Sequence, residues 1–248
     1  MKIGIIGTGN IGGTLARKFK AAGHEVRVAN SGGVDGVQPF ADKIGAEPVD
    51  VRGAVDGVDV IILSIPLPAL SALPSDLFTS VPGSVPVVDT SNYYPDLRDP
   101  HIAQIDDGLT ESVCVATQIG RPVIKAFNNV LAYSLAEFGR PEGAPKRLAA
   151  AIAGDDAMAK EIVMSLVSQA GFEPVDGGSI EESWRQQPST PGYCCDYDAE
   201  TMRRALLIAV KGQAAVTRDE LPSHFAKLGS NPSHEDVVAM NRSFSPLD

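Results

Sequence analysis

Apolar positions in this chain fall into short blocks, and the blocks alternate between two patterns. The first, "KIGIIG", is a near-continuous apolar run, as expected of a strand buried on both faces. Residues 11 to 22 then repeat at helical spacing, with Ile11, Leu15, Ala16 and Phe19 on one face and a stop at Gly23. "EVRVAN" reads as a second strand, and Val37 to Ile44 as a helix ended by Gly45. "EPVD" is a short extended segment, residues 51 to 56 a helical turn, and "DVIILSIP" the most strand-like stretch in the chain. "VPVVDTSN" and "VIKAFN" follow as strands, and then comes "RLAAAIAG". A helix opened by Asp155 and Asp156 and closed by Gly171 leads into a last strand, "FEPVDGG". Beyond residue 180 the chain turns polar and Pro-rich before a long helix over about 198 to 216, and the polar tail from Pro222 is expected to be loosely held.

Strands alternating with helices predict an α/β fold: a doubly wound, Rossmann-type parallel sheet with a small helical C-terminal part. The expected division is a dinucleotide-binding domain over 1–180 and a small substrate or oligomerisation segment over 181–248. With 248 residues, 44% of them hydrophobic, the chain can bury a sizeable core.

Charge narrows the partners. A formal net charge of -10 argues against nucleic acid and against anionic membranes. The most apolar stretch, "VDVIILSIPLPAL", is interrupted by Ser64, Pro66 and Pro68, so no membrane span is expected. Three cysteines form no disulfide framework, and the adjacent Cys194 and Cys195 lack metal or redox spacing. They read as packing residues, no metal site is expected, and a cytoplasmic location is the expectation.

Chemistry enters at the first turn. Gly7, Gly9 and Gly12 make G-x-G-x-x-G between a strand and a helix, with a second strand at βαβ distance. In such a loop the first glycine permits the tight turn, the second lets backbone approach a pyrophosphate, and the third allows close helix–strand packing. The helix N-terminus then offers free N–H groups to phosphate. At the end of the second strand an NAD-binding protein places Asp or Glu on the ribose hydroxyls. Here the residues are Ala29, Asn30, Ser31, Gly32 and Gly33, and the first acid is Asp35. The missing carboxylate favours NADP(H), with Thr8, Asn30 and Ser31 as neutral donors to a 2′-phosphate.

Together, "IGIIGTGNIG", "VVDTSNYYP", "VIKAFNNV", "AIAGDD" and "SWRQQPSTPGYC" resemble the deazaflavin (coenzyme F-420)-dependent NADP oxidoreductase family over residues 1 to about 215. The resemblance implies that Gly7, Thr8, Gly9, Asn10, Ile11 and Gly12 hold the pyrophosphate, with Thr8 and Ser31 near the 2′-phosphate. It implies nicotinamide contacts from Ser64, Ile65, Pro66 and Leu67 and from the "KAFNNVLA" segment that ends at Ala132. Coenzyme F-420 would be the co-substrate. The family usually carries arginine where this chain has Gly32.

Hydride transfer between two rings needs positioning and water exclusion rather than a protein nucleophile. The candidates for chemistry are accordingly few. Lys125 ends a strand, where it either polarises a carbonyl or forms an ion pair with a carboxylate. Asn92 and Asn128 also end strands, and each either bonds a carboxamide or caps a turn. Tyr93, Trp184 and Arg185 are candidates for a second ring site, since an aromatic beside a cation suits a ring-and-anion substrate. The four histidines, His24, His101, His224 and His234, read as structural or solvated. The leading reading is hydride transfer between NADP(H) and a deazaflavin. The alternatives are NADPH-dependent reduction of a small imine, ketone or hydroxyacid, and a dinucleotide-sensing module without turnover. A stripe of Met202, Ala205, Leu206, Ala209 and Val210 is read as a homodimer contact or as packing on the chain's own sheet.

Overall fold

The structure is a computed structural model that describes residues 1–247. Six parallel strands form the main sheet in the order β3-β2-β1-β4-β5-β6. They are β1 (Lys2–Ile6), β2 (Glu25–Ala29), β3 (Glu47–Pro48), β4 (Val60–Leu63), β5 (Val87–Asp89) and β6 (Ile124–Lys125). The winding reverses between β1 and β4, so the carboxyl ends of these two neighbours open the crevice where ligands of such sheets bind. A parallel pair, β7 (Ala149–Ile152) and β8 (Glu173–Asp176), continues beyond β6. It is joined by an antiparallel bridge in which Lys125 N donates to Ala153 O at 2.8 Å and Ala153 N to Lys125 O at 3.0 Å.

Both faces of the sheet are covered, as its all-apolar strands require. On one face α1 (Asn10–Ala21), α2 (Gly33–Ile44) and α6 (Ala157–Gln169) bury Leu15, Phe19, Val37, Ala41, Val163 and Leu166 against Ile3, Ile5, Val28 and Ile62. The other face holds Ala54, Val55, Leu67, Leu77, Tyr93 and Val115 against Ile6, Ile61 and Leu63. Three further helices lie between β5 and β7: α3 (Ala103–Asp106), α4 (Glu111–Ile119) and α5 (Ala132–Glu137). Asp156 caps α6 by accepting from Ala159 N at 2.9 Å, as the acidic opening of that segment implies.

Several expectations are corrected. The second helix begins at Gly33, one turn before Val37, because the polar "NSGG" turn hands directly into it. Residues 51 to 56 do form a turn, in which Ala54 N donates to Asp50 O at 3.0 Å and Val55 N to Arg52 O at 3.2 Å, so that expectation needs no change. The helix expected over 198–216 is two: α7 (Ala199–Ile208) and α8 (Gln213–Asp219). The break falls where Ala209 is extended and Gly212 takes φ 86°, a left-handed conformation that glycine adopts freely. Nor is the tail loose. It folds as α9 (Leu221–Leu228) and α10 (His234–Ser243), with a Ser233–Asp236 capping box opening α10. Asn241 Nδ2 donates to Cys194 O at 3.0 Å and Arg242 Nε to Cys195 O at 2.8 Å, which ties α10 to the body. Finally, Met202 and Leu206 pack on β7–β8 against Ala149, Ala151 and Val175, and Ala205 is also buried, so these three follow the own-sheet alternative for the stripe. Among the described residues no helix is long and apolar enough to cross a membrane.

Candidate functional site

The glycine loop lies at the reversal point of the sheet. Gly7 follows β1 with φ 105°, and a Cβ there would sit 2.1 Å from Ser64 O. A Cβ on Gly12 would lie 2.0 Å from Gly7 O and 2.8 Å from Ser64 Cβ. These two glycines therefore let α1 press onto the loop after β4. Gly9 differs: nothing lies within 4 Å of its Cβ position. It is the N-cap of α1 and supplies no side-chain cap, and the first turn carries no acid. Gly9 and Asn10 are exposed at the start of α1, with the positive end of the helix dipole behind them. That cradle fits a pyrophosphate.

Past β2, Asn30 and Ser31 follow at the carboxyl end of the strand beside β1. Asn30 Oδ1 accepts from Gly32 N at 2.8 Å, while its Nδ2 reaches Thr8 Oγ1 at 3.3 Å and Gly36 O at 3.4 Å. Asn30 consequently braces the glycine loop against α2 instead of offering a free donor. Ser31 is exposed, and Asp35 sits inside the first turn of α2.

After β4, Ser64 and Ile65 are half-buried and Pro66 is exposed at the crevice, whereas Leu67 is 1% exposed and packs into the core. Ala132 opens α5, which packs beside α1.

The strand ends of β5 and β6 hold a buried charge cluster. Lys125 Nζ donates to Ser91 O at 2.5 Å and to Asp89 Oδ2 at 3.1 Å, and it lies 4.0 Å from Glu111 Oε2. Asp89 also accepts from Ser112 Oγ at 2.7 Å and from Ser91 N at 2.8 Å. Lys125 is 0% exposed and paired with Asp89, the ion-pair alternative given for it. Burial pushes the Glu111 carboxyl up to about 7, with Lys125 pulling the other way and Asp89 adding to the rise.

Beside this cluster the chain takes a strained turn. Phe127 has φ 62°, costly for a large side chain, and is held by complete burial and an edge contact with Phe19 at 6.5 Å. The turn directs Asn128 into a network. Its Nδ2 donates to Gln186 O at 2.7 Å and Asn92 Oδ1 at 3.1 Å, and its Oδ1 accepts from Gln186 Nε2 at 2.9 Å. Asn92 Nδ2 returns a bond to Asn128 O at 3.0 Å. Asn128 is 3% exposed with its amide spent, so it joins three loops rather than meeting a substrate. Tyr93, 0% exposed, donates to Asp106 Oδ1 at 2.8 Å and accepts from Ile102 N, which makes it a core residue.

The loop "SWRQQPSTPGY" carries the sequence-predicted pair. Trp184 is half-buried, with the Arg185 guanidinium 4.5 Å over its ring. Arg185 Nη1 donates to Leu206 O at 3.0 Å, closing the end of α7, so its positive charge serves the fold. The structure brings Asn92, Asn128 and the Trp184–Gln187 loop together at the carboxyl end of the sheet. Asp89, Glu111, Gln186 and Gln187 join them there unforeseen. Glu111 has only its place after Thr110, at a helix start, as a signal in the sequence. The histidines bond polar neighbours, as expected: His24 to Gln169, His101 to Asp96 and Asp106, and His234 to Asp196.

A doubly wound sheet with a phosphate cradle at its first turn and a crevice at its reversal point defines a dinucleotide-binding class of protein. Residues 2–93 match the family described as NADP oxidoreductase, coenzyme F420-dependent. The chain is 51% identical over 105 residues to protein YjhV of Escherichia coli (strain K12), a stretch covering 42% of this chain and 77% of that protein. It is similar to the crystal structure of the hypothetical protein SMa0349 from Sinorhizobium meliloti, with 31% identity and TM-score 0.62 over 75% of this chain and 90% of that one. A proposed F420-dependent NADP-reductase from Arthrobacter sp. FB24 shares the fold, with 18% identity and TM-score 0.59 over 92% of this chain and 94% of its own. The chain belongs to the F420-dependent NADP oxidoreductase family and is an NADP-dependent oxidoreductase.

Proposed function

We propose that this chain transfers hydride between NADP(H) and a deazaflavin-type coenzyme held across the crevice. One observation carries the choice of acceptor. The lysine at the strand ends, Lys125, is buried and paired with Asp89, so it is not available to protonate a carbonyl or imine substrate. Transfer between two rings makes no such demand, and here the chain has only to bind, orient and exclude water.

When bound, the nicotinamide supplies the hydride chemistry. Gly9 and the first turn of α1 hold the pyrophosphate, and Ser31 and Thr8 face the 2′-phosphate. Ser64, Ile65 and Pro66 would contact the nicotinamide, and the Asn92–Asn128–Gln186 network fixes the neighbouring loops at the strand ends.

The test is NADPH oxidation, followed by absorbance, with a deazaflavin, free flavins and small carbonyls or imines offered in parallel. Turnover with the deazaflavin well above all others is expected. Faster turnover with a carbonyl or imine would replace this reading, and no turnover with any acceptor would favour a dinucleotide sensor.

A further inference from the structure

A cavity on the Tyr93 and Val115 side of the sheet carries an inference of its own. It lies between α4 and the short 3₁₀ helix Leu67–Ala72 that follows β4, and it measures about 470 Å³. Leu67, Pro68, Ile102, Leu109 and Cys114 form its apolar floor, and each of them is buried or half-buried. The rim carries the exposed side chains of Gln104 and Gln118, whose amides can both donate and accept. No Asp, Glu, Lys, Arg or His is among the described residues that line it.

Shape and charge together select the guest. The volume falls in the range of sites that enclose small molecules, and an apolar floor under a few polar groups is their usual lining. None of Leu67, Ile102 and Leu109 is among the large apolar side chains that stand out from the surface. The floor is therefore recessed: a flat protein face would bridge it, and only a group that enters can reach it. An entering carboxylate or ammonium would lose its water and meet no opposite charge, which is costly. We propose that this cavity binds an uncharged planar ring compound, its flat faces against Leu67, Ile102 and Leu109 and its polar edge bonded to Gln104 or Gln118.

The cavity stands apart from the phosphate cradle. Of the residues expected to hold the dinucleotide, Leu67 alone is among the described residues that line it. Cys114 makes its occupancy measurable. The other two cysteines, Cys194 and Cys195, are 2% and 1% exposed, whereas Cys114 is half-buried and lines the cavity, so its alkylation reports whether a guest is present. Burial, with Asp89 and Glu111 adding to it, pushes the Cys114 thiol up, so the reaction is followed in mild alkali.

The probe is 2-naphthamide, titrated into the full chain before iodoacetamide is added, against 2-naphthoate, which has nearly the same shape and carries a negative charge. Peptide mass spectrometry follows Cys114. Saturable protection by the amide is expected, with the carboxylate weaker by about tenfold or more. Gln118→Arg, on the exposed rim, should narrow that gap, and Cys114→Phe, which fills the floor, should abolish amide binding in calorimetry. Equal protection by both compounds, no protection by the amide at its solubility limit, or an unchanged gap in Q118R would overturn the site. Two other occupants show themselves in the same experiment. Full protection by NADPH alone would assign the cavity to the dinucleotide, and protection that grows with protein concentration would assign it to a second copy of the chain. Either result removes the proposal. The choice of hydride acceptor is decided separately, by turnover.

Discussion

Lys125 Nζ lies 3.1 Å from Asp89 Oδ2, and both side chains are shut off from solvent. A buried pair of this kind contributes little net stability over an apolar pair, but breaking it strands a charge. Lys125→Met should therefore cost about 3–5 kcal/mol in urea unfolding, and pairing it with Asp89→Leu should restore part of that loss. If K125M instead folds with unchanged stability and loses only kcat, the lysine acts on substrate.

Glu111 makes stability depend on pH in the direction opposite to most carboxylates. Its folded value is raised to about 7 from 4.5, so the folded state holds the proton more tightly than the unfolded chain. That contribution is fully present below about pH 4.5 and is lost as pH rises through about 7. Glu111→Gln should match the wild type in acid and exceed it at pH 8 by on the order of 3 kcal/mol. Parallel urea titrations from pH 4.5 to 8.5 check this, and a constant difference would contradict it.

Gly9 and Gly12 should respond differently to the same methyl group. Gly12→Ala meets Gly7 O at 2.0 Å and should lower the melting temperature, together with dinucleotide affinity. Gly9→Ala meets nothing in the free protein and should melt normally, yet bind NADPH far more weakly. A Gly9→Ala protein with undiminished NADPH affinity would place the pyrophosphate elsewhere.

The expected preference for NADP(H) over NAD(H) is modest. Asn30 is engaged by Gly32, Thr8 and Gly36, which leaves Ser31 as the principal free side-chain donor. One or two neutral hydrogen bonds, at about 0.5–1.5 kcal/mol each, correspond to roughly tenfold. Ser31→Asp should reverse the preference. Gly32→Arg should sharpen it, although the new Cβ sits 3.0 Å from Gly36 Cα and α2 must yield slightly. Dissociation constants for NADPH and NADH on the three proteins decide the matter.

Homodimerisation is expected through apolar side chains that the chain's own core leaves uncovered. Leu207 and Ile208 at the end of α7 and Val210 just beyond it, the last from the stripe first singled out, are 78%, 50% and 61% exposed. Sedimentation at micromolar concentration should give a dimer that Leu207→Glu converts to monomer. A monomeric wild type removes the expectation.

The alternation of apolar runs with helical periodicity was enough to place the first βαβ unit, because each of those strands is buried on both faces and each helix on one. The glycine spacing marked the phosphate cradle for the same local reason: backbone geometry at a strand–helix turn is set by a handful of consecutive residues. Local pattern failed where partners come from far along the chain. Lys125 is equally polar whether it faces substrate or Asp89, and only the pairing of β5 with β6 decides between them. Asn128 and Tyr93 look available in sequence and are consumed by Gln186 and Asp106, 58 and 13 residues away. The helix expected over 198–216 carried acceptable periodicity throughout, but packing of Met202 and Leu206 on β7–β8 ends at Ala209, and Gly212 turns the chain back. Glu111 shows the limit most clearly. Nothing in its neighbours forecasts a buried carboxyl, since its desolvation is set by strands and loops that meet only in the folded chain.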